Sequence, residues 1–295
     1  MKNYVIYTVM VGGYDEIRQP LVVDDRFDYV LFSDQHIGET IGVWQVRGIE
    51  AEQNMDKFCL SRMPKILPHR FLKAYKASLY LDANVQIATD VVYKRVFDLY
   101  NGGIEWGGIK HPFGMDCTYR EIGDIVRAPW VHDYDVVKWY QKLLKADFPK
   151  HYGMYENNVI FRCHTSAVND VCERWWNTIV NGCKRDQFSL MFLLWQTNIK
   201  RCYLLEEDEC PRTNSVNFNY YEHNKNKGVS VGLLEHIRYR CARIADPEQL
   251  GYPYLFEVVC KYNHPILMMY VWELFAVIAY GPKVLIEIIK VRLGK

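Results

Sequence analysis

The stretch Ala77-Ser78-Leu79-Tyr80-Leu81-Asp82-Ala83-Asn84-Val85-Gln86-Ile87 decides how this chain folds. Its first five residues are an apolar run of strand length that stops at an acid. Asp and Asn are common turn formers after strands, but a plain turn is rarely embedded in apolar sequence, and here Val85-Gln86-Ile87 resumes as strand. In extended or turning backbone, positions i and i+2 project the same way, so Asp82 and Asn84 are spaced to hold a hard divalent cation through side-chain oxygens. Mg²⁺ or Mn²⁺ held there would bridge diphosphate oxygens and leave other positions to water or phosphate.

Outward from this stretch, strand and helix signals alternate. Tyr4 to Val9 is β-branched and aromatic and ends at Gly12-Gly13. Asp28 to Ser33 repeats the pattern, and Gly42 to Val46, Ile104 to Ile109 and Asn158 to Phe161 are further strand candidates. Helical stretches cover Lys57 to Arg70, which Pro64 and Pro68 should break, then Val136 to Leu144, Ser166 to Val180 and Asp186 to Gln196. Alternation of this kind predicts an α/β, Rossmann-like, mostly parallel sheet flanked by helices. Ligands of such sheets bind beyond the carboxyl ends of the strands, so functional residues are expected just after Val9, Phe32 and Leu81. With no internal repeat, Pro- or Ser-rich linker or charge block, the simplest division is a domain over 1–262 and an extension over 263–295.

Composition limits the function. The 295 residues are 49% hydrophobic and 24% charged, which fits a folded protein with a large core. Lys and Arg number 36 against 35 Asp and Glu, and a net charge of +1 argues against nucleic acid as a partner. A small molecule or neutral polymer fits better. The 9 cysteines show no C-x-x-C pair and Met1-Lys2-Asn3-Tyr4 runs directly into strand, so a reducing, cytoplasmic setting is expected. There is no G-x-S-x-G elbow, P-loop, G-x-G-x-x-G or zinc spacing.

The extension differs in character. Ile266 to Tyr280 is apolar apart from Glu273, and Gly281-Pro282 should break it before a second run with the basic end Lys290, Arg292 and Lys295. About 20 apolar residues are needed to cross a bilayer, so the first run is too short. The second suits a helix lying in the interface on the inner face of a membrane. Packing on the domain's own core is the alternative.

Tyr80-Leu81-Asp82-Ala83-Asn84-Val85 resembles the Asp-x-Asp motif of nucleotide-sugar glycosyltransferases with the A-type (GT-A) fold. Other segments resemble, in order, a family long labelled a domain of unknown function, found in bacterial polysaccharide clusters and among plant Golgi glycosyltransferases. They are Tyr7-Thr8-Val9 with Gly12-Gly13-Tyr14-Asp15, Asp28 to Asp34, and Arg62 with Lys65-Ile66-Leu67-Pro68-His69. Further on come Lys110-His111-Pro112 with Asp116-Cys117 and Tyr119-Arg120-Glu121, then Tyr155 to Ile160, then Arg185-Asp186-Gln187.

The resemblance implies roles. Thr8, Val9, Gly13 and Tyr14 would cradle the nucleotide, with Asp34 near the base and Ala83 between the motif's two ligands. Arg62 and Lys65, three apart on a helix, would offset diphosphate charge, although a solvated basic face is the commoner fate of such a pair. His111, Asp116, Asn157, Arg185 and Gln187 would line the acceptor or sugar pocket. Mn²⁺ or Mg²⁺ would be held by Asp82 and Asn84, the latter through its carbonyl oxygen, with His223 as a late third ligand. Asp186 and Glu156 are the candidate carboxylates, either as general base or as stabiliser of an oxocarbenium-like centre, and Asp186 at a helix start could equally be a cap. The implied activity is hexosyl transfer from a UDP-sugar donor to a hydroxyl of a surface polysaccharide or lipid-linked oligosaccharide acceptor, as in capsule or lipopolysaccharide synthesis. A binding module of the same fold without turnover is the alternative.

Overall fold

The computed structural model describes residues 2–293 apart from 14, 50–54, 127–132, 183, 214, 223–231, 247 and 250–251. The first elements are strands β1 (Tyr4–Met10), β2 (Phe27–Ser33), β3 (Thr40–Ile41) and β4 (Trp44–Gly48). Helices α1 (Lys57–Ile66) and α2 (Pro68–Phe71) precede β5 (Ala77–Leu81), β6 (Val85–Ile87), α3 (Val91–Asn101) and β7 (Trp106–Lys110). Then come α4 (Thr118–Val126), α5 (Asp133–Lys145), β8 (Tyr155–Cys163), α6 (Ser166–Val180), α7 (Asp186–Trp195), β9 (Arg201–Leu205) and β10 (Phe218–Tyr220). The chain closes with α8 (Leu233–Ala245), β11 (Glu248–Gln249), β12 (Tyr252–Pro253), α9 (Tyr254–Cys260) and α10 (Pro265–Arg292).

Two compact units emerge, one of Met1–Asp116 with Gly153–Asn226, the other of Cys117–Tyr152 with Lys227–Lys295. They do not coincide with a boundary at residue 262, because the second unit also takes up segments from the middle of the chain.

The first unit is built on an eight-stranded sheet of order β3-β4-β2-β1-β5-β8-β7-β9. β1 pairs in parallel with β2 and β5, β2 with β4 and β7 with β9, whereas β8 runs antiparallel to both neighbours. The result is the expected Rossmann-like, mostly parallel α/β architecture. β1 and β5 read as continuous apolar runs because they are covered on both faces, and Val5, Ile6, Leu79 and Leu81 are all buried. In parallel strands the carboxyl ends share one edge. That edge therefore gathers Gly12, Asp34, Asp82 and His111, and antiparallel β8 contributes its beginning there, since Val159 pairs with Leu81.

Two expectations are corrected. Pro64 does not break α1, which ends only where Leu67 (φ −112°, ψ 50°) precedes Pro68, a position that disfavours helical backbone. Val85-Gln86-Ile87 is a strand as expected, and it forms a separate antiparallel pair with β10. Gly281-Pro282 does not divide the C-terminal region, since α10 is one 28-residue helix. In the second unit Ala276, Val284 and Ile288 pack with Cys241 of α8, and Arg238 and Arg240 pair with Glu273 at 2.7 Å and Glu287 at 2.6 Å. Contacts on both sides of Pro282 outweigh the hydrogen bond that its ring removes.

Candidate active site

The last turn of α1 brings Lys65 to the tip of β5. Its side chain is almost wholly buried, and Nζ lies 3.3 Å from Asp82 Oδ1 and 3.2 Å from Asp186 Oδ2. The Tyr80 hydroxyl donates to the same Asp82 oxygen at 2.6 Å. A buried ammonium is sustainable only when paired, and two carboxylates and a phenol surround this one. Burial by itself would raise the Asp186 carboxyl, but Lys65, then Arg62 and Arg185, hold it well below the usual carboxylate range. Burial, with Asp82 next in weight, pushes the Tyr80 phenol well above its ordinary value, so it acts as a donor. Trp175 Nε1 donates to the Asp186 carbonyl at 3.0 Å and fixes the start of α7. Lys65 is thus no solvated basic residue.

Behind Lys65 stands Arg162, fully buried in β8. Its guanidinium donates to the Lys65 carbonyl at 2.6 Å, the Ile66 carbonyl at 3.3 Å and the Tyr7 hydroxyl. Tyr7 donates in turn to the Lys65 carbonyl at 3.1 Å. The cation therefore meets the exposed carbonyls at the carboxyl end of α1, where the helix dipole is negative.

Around this cluster the edge loops are tied together. Gly12 (φ +71°) and Gly13 (φ +57°) occupy the left-handed region, which glycine adopts without strain. The Gly12 N–H donates to both oxygens of Asp34, at 2.8 and 3.0 Å, joining the loops after β1 and β2. Asp56 caps α1 by accepting the Cys59 N–H at 2.7 Å and pairs with Lys184 at 2.5 Å. Thr8, Leu31, Trp44 and Ala83 line a small cleft at this edge, while Val9 is buried within β1. Tyr14 lies outside the described residues.

A second group forms where β7 meets β8. Their register slips between Gly108, paired with Ile160, and Ile109, paired with Glu156, so residues 157–159 form a bulge. Bulges of this kind re-aim side chains next to functional sites. Glu156 Oε2 pairs with His111 Nε2 at 3.2 Å and Arg212 Nη1 at 3.0 Å. Among the described residues, neither amide atom of the buried Asn157 has a partner, and the buried Thr8 hydroxyl also lacks one. Such orphans are uncommon because each carries a desolvation cost of about 1–3 kcal/mol. Asp116 closes the loop after His111 by accepting the Gly153 N–H through its carbonyl at 3.0 Å, and Gln187 is buried in the first turn of α7.

The Asp82-Ala83-Asn84 turn is held by the chain after β10. Asn84 donates its amide N–H to the Tyr221 carbonyl at 2.9 Å, and the Tyr221 N–H donates to the Asn84 carbonyl at 3.0 Å. The side-chain amide nitrogen being so engaged, its oxygen is the atom suited to a cation. His223 lies outside the described residues. Among those described, no group of three or more His, Cys, Asp or Glu could hold a metal ion.

Asp82, Lys65 and Asp186, with Arg62 and Arg185 acting on the last, thus converge, while His111 and Glu156 form a neighbouring pair. Sequence reading missed Tyr80 as a hydrogen-bond donor, Arg162 and Arg212. A lone arginine closing the apolar run Val159-Ile160-Phe161-Arg162 was the available signal for the second.

Residues 2–221 match the family model of the TOD1/MUCI70 glycosyltransferase-like domain. The chain belongs to that family. Among curated proteins, none matches it. The family domain spans the sheet and every residue of the converging cluster, so the chain is glycosyltransferase-like where its buried charges meet.

Proposed function

We propose that the chain is a GT-A-type glycosyltransferase that moves a hexose from a UDP-sugar to a hydroxyl of a surface polysaccharide or lipid-linked oligosaccharide. The observation that carries this reading is Lys65 held between Asp82 and Asp186 at the strand edge where such sheets bind nucleotides. Membership of a glycosyltransferase-like family supports the reaction class.

The donor's nucleotide would lie over Thr8, Gly12 and Gly13, and the orphaned Thr8 hydroxyl and Asn157 amide offer it or its sugar hydrogen bonds. Arg62, Arg185 and Lys184 bring positive charge toward the diphosphate, which accumulates charge as the nucleotide departs. The residues present fit a divalent cation taken up mainly through the substrate. Asp82 supplies a carboxylate and Asn84 an amide oxygen, too few to enclose a metal but suited to Mg²⁺ or Mn²⁺, which keep phosphate and water ligands. When bound, the ion would neutralise diphosphate charge.

Asp186 is held strongly ionised, which makes it a weak proton acceptor. In this reading it stabilises positive charge developing at the anomeric carbon and fixes Lys65, and it does not deprotonate the acceptor. Glu156, paired with His111 and Arg212, orients the acceptor side.

The test is metal-dependent UDP release from UDP-sugars, with calorimetric binding alongside. Asp82→Ala and Asp186→Asn are each expected to lower turnover by about 100-fold or more, as loss of a preorganised electrostatic group does. Wild-type protein that neither binds nor consumes any UDP-sugar would overturn the reading, and binding without turnover would make the chain a nucleotide-sugar-binding module.

A further inference from the structure

The second unit exposes an apolar stripe. Along α10, Leu267, Val271, Leu274, Ile278, Leu285 and Ile289 recur at spacings of three, four and seven and all face solvent. Leu274, Phe275 and Ile278 are 60%, 65% and 66% exposed, far beyond a few scattered surface apolars. From Leu274 to Ile286 the stripe covers roughly 120° of the helix circumference at 3.6 residues per turn, with Tyr270 widening it near the helix start while Gly281 and Ile288 on that side are buried, and the helix is about 42 Å long. Its opposite face, with Met269, Ala276 and Val284, is buried. Among exposed α10 residues with described side chains, the charged ones are Lys283 and Lys290. Both lie beside the stripe, about 60° or less from Ile286 on the same wheel. Glu273 and Glu287 are turned to Arg238 and Arg240 of α8.

We propose that α10 lies along an anionic lipid surface, with the stripe in the acyl boundary and Lys283 and Lys290 reaching the headgroups. Long lysine stems allow that geometry, because their methylenes follow apolar surface while the ammonium stays at the polar layer. Among the described residues no helix is long and apolar enough to cross a membrane, so the contact is lateral. Charge selects lipid over a second copy of the chain. The acids of α10, Glu273 and the partly exposed Glu287, are already paired with arginines of α8, so another α10 would give the two lysines no unengaged counter-charge, whereas anionic headgroups give both one. The breadth of the stripe also exceeds the narrow seam that a paired helix buries.

The experiment sediments the full chain with vesicles of phosphatidylcholine alone or mixed with phosphatidylglycerol, at low and raised salt. The wild type is expected to partition onto the anionic vesicles by roughly tenfold or more over the neutral ones, as two lysines near such a surface provide. That preference should shrink with salt. Leu274→Glu with Ile278→Glu should abolish sedimentation, and Lys283→Glu with Lys290→Glu should abolish the anionic preference. All four side chains are exposed, and circular dichroism checks the fold. If the glutamate pair at 274 and 278 fails to fold, the charge-reversal pair decides. A chain that stays in the supernatant with both vesicles overturns the proposal, as does equal uptake on both or uptake indifferent to the substitutions. So does a dimer that the glutamate pair dissociates while no vesicle binds the wild type. UDP-sugar binding measured on the same variants reports the strand-edge site separately, so either reading can fail alone.

Discussion

Among the described residues Arg162 pairs with no carboxylate; its buried guanidinium donates to two helix carbonyls, a phenol and, at 3.7 Å, the Cys172 thiol, and its Nε is left without a partner. Arg162→Met would leave those acceptors unpaired and is expected to lower stability by about 2–4 kcal/mol in urea unfolding, with Arg162→Lys recovering part of it. Asp186 gives a pH signature. Its folded-state pKa lies below the unfolded value, so its contribution is complete above the ordinary carboxylate pKa of roughly 4 and is lost as pH falls below that. Asp186→Asn deletes the contribution, so the stability lost between neutral pH and about pH 3 should be smaller in the variant than in the wild type. Acid titrations of the two proteins, each followed by denaturant unfolding, compare the slopes. Asp82, Lys65 and Asp186 were all legible in sequence, but their meeting was not. They lie on β5's tip, α1 and α7, and only the packing of those elements brings one ammonium within reach of both acids.

At the level of elements, strand signals were read well wherever both faces are covered, because β-branched and aromatic runs such as Tyr4 to Val9 have no other fate. Proline was the misleading signal. Pro64 and Pro282 each remove a backbone donor, yet α1 is capped by Asp56 and α10 is anchored on both sides of the ring. A local penalty written in sequence gave way to tertiary contacts that sequence does not display. The penalty is still present, so Pro282→Ala should stabilise the protein by up to about 3 kcal/mol, seen as a higher thermal midpoint with the helical signal retained. Gly108 has the opposite character: an added Cβ would fall 2.7 Å from the Tyr155 ring, so the strand beside the bulge tolerates no side chain there.

For the whole molecule, the thiols speak of packing. Cys59, Cys117, Cys163, Cys172, Cys210, Cys241 and Cys260 are buried and unbridged, and only Cys202 among the described thiols is half-exposed. Burial pushes Cys163 and Cys210 up to about 11 and Cys260 up to about 12. The folded protein should therefore react slowly with a thiol reagent, with Cys202 first among these eight positions, and its thermal midpoint should not change with reductant. Mass spectrometry after timed labelling reads the order.

The place of β8 has a consequence for biogenesis. It fills the slot between β5 and β7, both of which leave the ribosome before it, with residues 117–152 synthesised in between. Until β8 emerges, the edges of β5 and β7 that it will cover stand open on the nascent chain, each a template for adhesion to a stranger. A chaperone that covers those edges at that stage is expected to raise the yield of folded protein.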